Sequence, residues 1–282
     1  MRLTEPMEIG LVFWAEQDAA TTIQQLRAFD LHAGQLGVPP QLECNSAIDE
    51  WIRSFDEHEV CITSAVCSYL GEDYSSLDAV HKTVGFTQEA MRSDRSRRTE
   101  VVSRFAAALS IPAVSCHIGF IPDSPHEVLY GELCDLVKSF CDLCGVNGQD
   151  FVLETGQECA QVLLSFIQSI NRTNLKVNFD PANMIMYGSG DPVAALKILS
   201  PHVLSVHCKD AHSPVLSTGR FGLECTLGSG EVDFLGFLEQ LKTMEYRGVL
   251  SIEREEPDVE TRSKDIEIGL LRLKQWKTSL GL

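Results

Sequence analysis

The sequence predicts a closed α/β barrel of eight parallel strands, and three observations carry that prediction. Eight short apolar or alternating runs recur along the chain with helical segments between them, in the rhythm strand, loop, helix. The length, 282 residues, fits one barrel of about 250 residues plus trimmings. In the second half, four of the runs each end in a residue able to bind a divalent cation: Glu154, Asp180, His207 and Glu253.

The strands are expected over residues 8–13, 40–44, 59–66, 112–117, 150–154, 175–180, 203–208 and 248–253. The second and third carry the faintest patterns. Amphipathic segments alternate with them: Thr99 to Leu109, Glu127 to Cys144, Ala160 to Ser169, Pro192 to Leu199, Phe234 to Met244 and Lys264 to Trp276. Several follow a Ser, Asp or Thr placed to cap a helix. Ser68 to Thr99 is polar and charged, as expected of a long excursion over the barrel mouth. No linker, repeat or low-complexity tract breaks residues 1–282, so a single barrel domain is expected.

Strand side chains alternate between faces. The residues one step before the four candidates are Leu153, Phe179, Val206 and Ile252, all apolar and suited to packing on helices. Those two steps before are Val152, Asn178, Ser205 and Ser251, which share the candidates' face and are mostly polar. One face therefore meets helices while the other lines an interior that opens onto a polar cluster.

A shell of two glutamates, one aspartate and one histidine suits Mn²⁺, Mg²⁺, Co²⁺ or Zn²⁺ and not a metal that needs thiolates. A lone acid at a strand end is usually a cap or a surface residue. Four with one parity at one end of successive strands point to a single divalent metal site, at the barrel face where active sites form.

Composition narrows the partners. The formal net charge is −17, a field that repels a phosphate backbone, so nucleic acid is not expected as a partner. The ten cysteines and the absence of a long apolar run at the N-terminus lead us to expect reduced thiols in the cytoplasm. Cys141 and Cys144 resemble half a zinc knuckle without a matching second pair, which favours a place in the core. No run approaches the roughly 18 to 20 apolar residues of a membrane helix, so no membrane partner is expected. Assembly into a homo-oligomer is left open.

Asn178-Phe179-Asp180-Pro181-Ala182-Asn183, Ser205-Val206-His207-Cys208-Lys209-Asp210, Leu227-Gly228-Ser229-Gly230-Glu231-Val232-Asp233-Phe234 and Ile252-Glu253 resemble the xylose-isomerase-like TIM-barrel superfamily of sugar isomerases and epimerases. The likeness runs from about residue 100 to 276, and His-x-Lys-Asp followed by Leu-Gly-x-Gly is its most specific part. It implies a xylose-isomerase-like (β/α)8 TIM barrel in which Glu154, Asp180, His207 and Glu253 hold one divalent ion. It also implies a small sugar as substrate, with Glu154 and Glu253 as the catalytic residues that pass protons beside its carbonyl. Isomerisation and epimerisation both remain open, as does a dehydratase of the same superfamily acting on an inosose or dehydroshikimate-like substrate. An apurinic-site endonuclease is disfavoured, because Asn183 stands where those enzymes carry histidine and Ile62-Thr63-Ser64-Ala65-Val66 offers none.

Further candidates for contacting substrate are His117, Asn183, Lys209, Trp14 and Arg220. His117 and Lys209 share the inward parity, each with a plainer alternative as a structural histidine and as a loop or ion-paired lysine. Trp14 suits the apolar face of a sugar or a plug at the rim. Arg220 lies where the epimerases place a substrate arginine, although its spacing to Leu227-Gly228 does not match and Glu224 is nearer the expected place. Arg92, Arg95, Arg97 and Arg98 would suit a phosphate, but a solvated helix start is the plainer reading.

Overall fold

The computed structural model describes residues 3, 5–44, 46–214 and 221–282. Eight parallel strands close into a barrel in the order β1-β10-β7-β6-β5-β4-β3-β2. They are β1 (Ile9–Trp14), β2 (Ala33–Val38), β3 (Cys61–Cys67), β4 (Ala113–Cys116), β5 (Asp150–Glu154), β6 (Leu175–Phe179), β7 (Val203–Cys208) and β10 (Leu250–Ile252). The helices outside it are α1 (Ala19–Arg27), α2 (Ile48–Glu57), α3 (Leu77–Thr83), α4 (Glu89–Ala108) and α5 (Val128–Val146), then α6 (Ala160–Ile170), α7 (Pro181–Tyr187), α8 (Pro192–Leu199), α9 (Phe234–Thr243) and α10 (Val259–Leu280). After β7 the chain adds an antiparallel pair, β8 (Asp210–His212) with β9 (Leu223–Cys225), that the sequence pattern did not show.

The second strand corrects the expectation. It occupies Ala33–Val38, and residues 40–44 form a loop after it. Gly34 and Gly37 dilute the apolar pattern of Ala33–Val38, yet the barrel requires both. A Cβ at Gly34 would collide with the Leu11 carbonyl oxygen, and one at Gly37 would lie 2.5 Å from Trp14 Cδ2. The expected helix from Thr99 is the second half of α4, which starts ten residues earlier at Glu89.

The alternation holds where the site forms. Leu153, Phe179, Val206 and Ile252 are each at most 1% exposed, packed outward beneath the helices. Phe179 stacks on Phe237 of α9 with ring centroids 5.9 Å apart. Asn178 and Ser205 point inward and meet a residue from the far side of the barrel: Gln35 Nε2 donates to Asn178 Oδ1 at 3.1 Å, and Ser205 Oγ donates to the same oxygen at 2.6 Å. These amides and hydroxyls satisfy one another in a layer that water cannot reach, directly under the mouth. Cys141 and Cys144 are buried on α5, as expected. No helix among the described residues is long and apolar enough to cross a membrane.

Candidate metal centre and active site

Glu154, Asp180, His207 and Glu253 meet at the C-terminal mouth of the barrel. Each offers a ligand atom, and the four atoms all lie within 4.8 Å of one another. Strand pairing makes this unavoidable: Glu154 pairs with Asn178, Asn178 with Ser205, and His207 with Ser251, so the four residues top adjacent strands. His207 is the hub. Its Nδ1 stands 3.1 Å from Glu253 Oε2, 3.4 Å from Glu154 Oε1 and 3.5 Å from Asp180 Oδ2. Its Nε2 lies against the buried amides, 3.0 Å from Asn178 Nδ2 and 3.3 Å from Gln35 Oε1, which fix the ring plane.

Asp180 serves two ends. It caps α7, its Oδ1 accepting from Ala182 N at 2.8 Å and Asn183 N at 3.0 Å, while Pro181 starts the helix with the φ it needs. Its Oδ2 is buried without a hydrogen-bond partner and faces the cluster, as does the likewise unpartnered His207 Nδ1. Buried polar atoms are rarely left so. Three carboxylates, those of Glu154 and Asp180 buried and that of Glu253 half-buried, surround one imidazole, and with two ligand atoms orphaned they fit a hard divalent cation in oxygen and nitrogen ligation.

Burial alone would push Glu154 up, but the His117 and His207 imidazoles hold its carboxyl below its ordinary value. Burial opposes ionisation of Glu253 too, yet His207 and the Lys209 ammonium hold it well below the carboxylate range. Burial disfavours a charged His207, and Glu253 and Glu154 more than reverse that, raising it well above its usual value. Lys209 is buried as well, and is held charged by Glu253 and Glu255, with Nζ–O distances of 3.0 and 3.1 Å. A solvated loop lysine is therefore excluded.

His117 comes to the mouth from β4, its Nε2 3.6 Å from Glu154 Oε1 and its Nδ1 buried without a partner. Asn183 Nδ2 donates to Glu154 Oε1 at 3.1 Å and so steadies that carboxylate. Trp14 lines the same cavity from the end of β1, whereas Arg220 lies outside the described residues. The cavity holds about 950 Å³ and reaches from Glu154, Asn183 and Lys209 out to Trp14. Its walls include Glu72, Tyr74, Tyr187 and Glu224, and residues 68–76 of the expected excursion cover one side. The first three of those wall residues, and Gln35 below them, went unmarked in the sequence because none shares a motif or a strand-end position with the ligands. Burial raises the Glu224 carboxyl to about 7, although Lys209 beside it works the other way. The arginine run does not form a phosphate site: Arg98 donates to the carbonyls of Pro39 and Leu42 at 2.7 and 3.0 Å, Arg92 to that of Phe86 at 2.7 Å, and Arg95 to those of Gly85 and Thr83.

A closed (β/α)8 barrel with an acid and histidine cluster at its C-terminal mouth defines a known class. The family model described as xylose isomerase-like TIM barrel matches residues 14–276, and the chain belongs to that family. A xylose isomerase domain protein from Planctomyces limnophilus is 32% identical, with 98% of this chain and 99% of that one covered and a TM-score of 0.92. A D-tagatose 3-epimerase-like protein shares the fold at 18% identity and a TM-score of 0.74, over 97% and 100% of the two chains. The rhizopine catabolism protein MocC of Rhizobium meliloti is 31% identical over 116 residues. That match spans 37% of this chain and about a third, 34%, of MocC.

Proposed function

We propose that this protein is a divalent-metal-dependent isomerase or epimerase of a small sugar or keto-polyol, working by proton transfer through an enediolate. The observation that carries the reading is the convergence of two glutamates from opposite ends of the ligand-bearing arc, β5 and the end of β10, on one point beside His207 Nδ1. Glu154, Asp180, His207 and Glu253 would hold the cation. When bound, it supplies electrostatic stabilisation of the oxyanion that develops on the substrate, several kcal/mol of barrier.

The chain's own groups account for the rest. A carboxylate oxygen of Glu154 or Glu253 takes the proton from the carbon beside the carbonyl, and the other glutamate returns one to the opposite face. A single glutamate that moves the proton between neighbouring carbons gives isomerisation instead. Lys209 keeps Glu253 ionised, and Asn183 fixes the rotamer of Glu154. The D-tagatose 3-epimerase-like fold relative supports an epimerase reading. His117 favours a second reading, a dehydratase, because its imidazole borders the cavity with Nε2 3.6 Å from Glu154 Oε1, within reach of a departing β-hydroxyl. Loss of water from the product separates that outcome.

The test is turnover of a ketose panel in D₂O. Solvent deuterium is expected at the carbon beside the carbonyl, because a carboxylate that removes a proton exchanges it before returning one. Glu253→Gln should abolish the label while retaining part of the bound metal, since an amide oxygen ligates weakly but takes no proton. Product formed without label overturns the proton-transfer reading.

A further inference from the structure

The cavity is larger than a monosaccharide needs. Pockets of roughly 300–1,000 Å³ enclose drug-sized ligands, and about 950 Å³ stands at the top of that range. A six-carbon sugar with a dozen heavy atoms fills the floor alone. That floor is polar and closed: Glu154 is 5% exposed and Lys209 3%. The outer part differs in character. Trp14 is 39% exposed there, and Tyr187 and Phe221 form an aromatic pair with centroids 4.9 Å apart at an interplanar angle of 68°.

These rings are held in place. Trp14 lies on the bare backbone of Gly37, where any Cβ would strike its indole, and Gln25 Nε2 donates to the Trp14 carbonyl at 2.7 Å. One indole face is thus seated on β2 while the ring still borders the cavity. Tyr187 rests against Gly156, where a Cβ would lie 3.1 Å from its Cδ2. Flat, preoriented aromatic faces suit the apolar C–H face of a sugar ring, and Gln41, Ser75 and Ser76 line the same outer space with groups for its hydroxyls. No spare cation lines that space among the described residues. Glu72, Glu224 and Glu255 line the cavity, whereas the Lys209 ammonium is already engaged by Glu253 and Glu255.

We infer that the site takes a disaccharide-sized keto sugar: the ring bearing the ketone sits on the floor against Glu154 and Glu253, and a second, uncharged ring occupies the outer chamber beside Trp14. This rests on the proposed proton-transfer function for the chemistry, but the size of the ligand is read independently from the cavity.

The experiment compares two probes on the metal-loaded protein: a disaccharide with one ring hydroxyl oxidised to a ketone, and the methyl glycoside of the same keto sugar. Calorimetry reads affinity and D₂O labelling reads proton transfer. The keto-disaccharide should bind about tenfold tighter, the worth of one good aromatic contact. Trp14→Ala should bring that ratio close to one, and Trp14→Phe, which keeps a ring on Gly37, should preserve most of it. Phe221→Ala provides a second truncation among the aromatic residues that line the cavity. Equal affinity for the two probes, or a ratio unmoved by both truncations, overturns the second-ring subsite even if both probes become labelled. Tighter binding of the disaccharide without label in either probe supports the subsite and sinks the proton-transfer reading instead.

Discussion

At the scale of single residues, Asp180 shows how one side chain joins fold to site. Its Oδ1 caps α7 and its Oδ2 faces the cluster, so the two roles can be separated by an isosteric change. Asparagine caps helices as well as aspartate, and in Asp180→Asn the remaining oxygen can keep the cap while an amide nitrogen takes the place of Oδ2. We expect far-ultraviolet circular dichroism to be preserved and bound divalent metal to fall markedly by elemental analysis; full occupancy would remove Asp180 from the shell. Glu158 gives a second residue-level expectation. It is 8% exposed, accepts from Ile121 N at 2.8 Å, and burial raises its carboxyl to about 8. The unfolded chain releases that proton near the ordinary value of about 4.3 while the folded chain keeps it, so the native state binds more protons and stability declines as pH climbs from about 4.5 to 8. Below that window both states are protonated and nothing is lost. Glu158→Gln keeps the acceptor and removes the titration, so the variant should gain on the parent by a few kcal/mol in urea denaturation between pH 5 and 8; parallel pH profiles for the two proteins would refute this. The cluster of Glu154, Asp180, His207 and Glu253 was legible in the sequence because strand alternation fixes where each strand-end side chain points. The fixed position of Lys209 was not, because its partner Glu255 comes from beyond another strand, and only folding brings the two together.

At the scale of elements, what sequence patterns showed and missed follows local chemistry. β6, β7 and β10 read clearly because apolar residues alternate with polar ones, and β5 because the apolar run Phe151-Val152-Leu153 ends in Glu154. β2 did not, since Gly34 and Gly37 look like breaks although they allow the backbone of β1 and the indole of Trp14 to approach. Missing β2 also hid Gln35, the only residue from across the barrel found hydrogen-bonded to the layer under His207 among the described residues. The motif His-x-Lys-Asp with Leu-Gly-x-Gly was read as a family mark, and its physical content emerges from the β8–β9 pair. Asp210 Oδ2 accepts from Gly228 N at 2.9 Å and Gly230 N at 2.8 Å, while its Oδ1 accepts from Ala211 N at 2.9 Å and Val232 N at 3.1 Å. A Cβ at Gly230 would strike that carboxylate, so glycine is required there. One aspartate thus folds the turn after β9 against β8, the strand that follows Lys209, and steadies the pair that brings Leu223 and Glu224 to the cavity. Asp210→Ala leaves four buried or half-buried amides without their acceptor and should cost about 1–3 kcal/mol, seen as a lower urea midpoint at unchanged slope. A midpoint equal to the parent's would mean that the loop holds itself.

At the scale of the whole molecule, the barrel was legible despite one misplaced strand, because closure depends on the number and rhythm of strands more than on the bounds of any one. Charge was legible too, and it bears on the remaining alternative, cleavage of nucleic acid at abasic sites. The chain carries 40 acidic and 23 basic residues, a net −17 that opposes the approach of a polyanion. A local basic face could overcome that, and α4 offers the densest run of arginines. Those side chains are engaged: Arg92 and Arg98 hold loop carbonyls, Arg95 is 4% exposed and donates to the loop before α4, and Arg97 pairs with Asp94 at 3.2 Å. The mouth itself is lined by Glu72, Glu154, Glu224 and Glu255. Binding to DNA rests largely on releasing counterions by neutralising phosphates, so it is strongest at low salt, and a chain whose densest arginine run is engaged within the fold has little to gain there. We therefore expect no gel shift of an abasic duplex at low ionic strength, with or without added divalent metal, and no nicking over the same titration. Metal-dependent nicking that weakens steeply as salt is raised would show that phosphate contacts form after all, and would place the chemistry of this barrel on nucleic acid in preference to sugars.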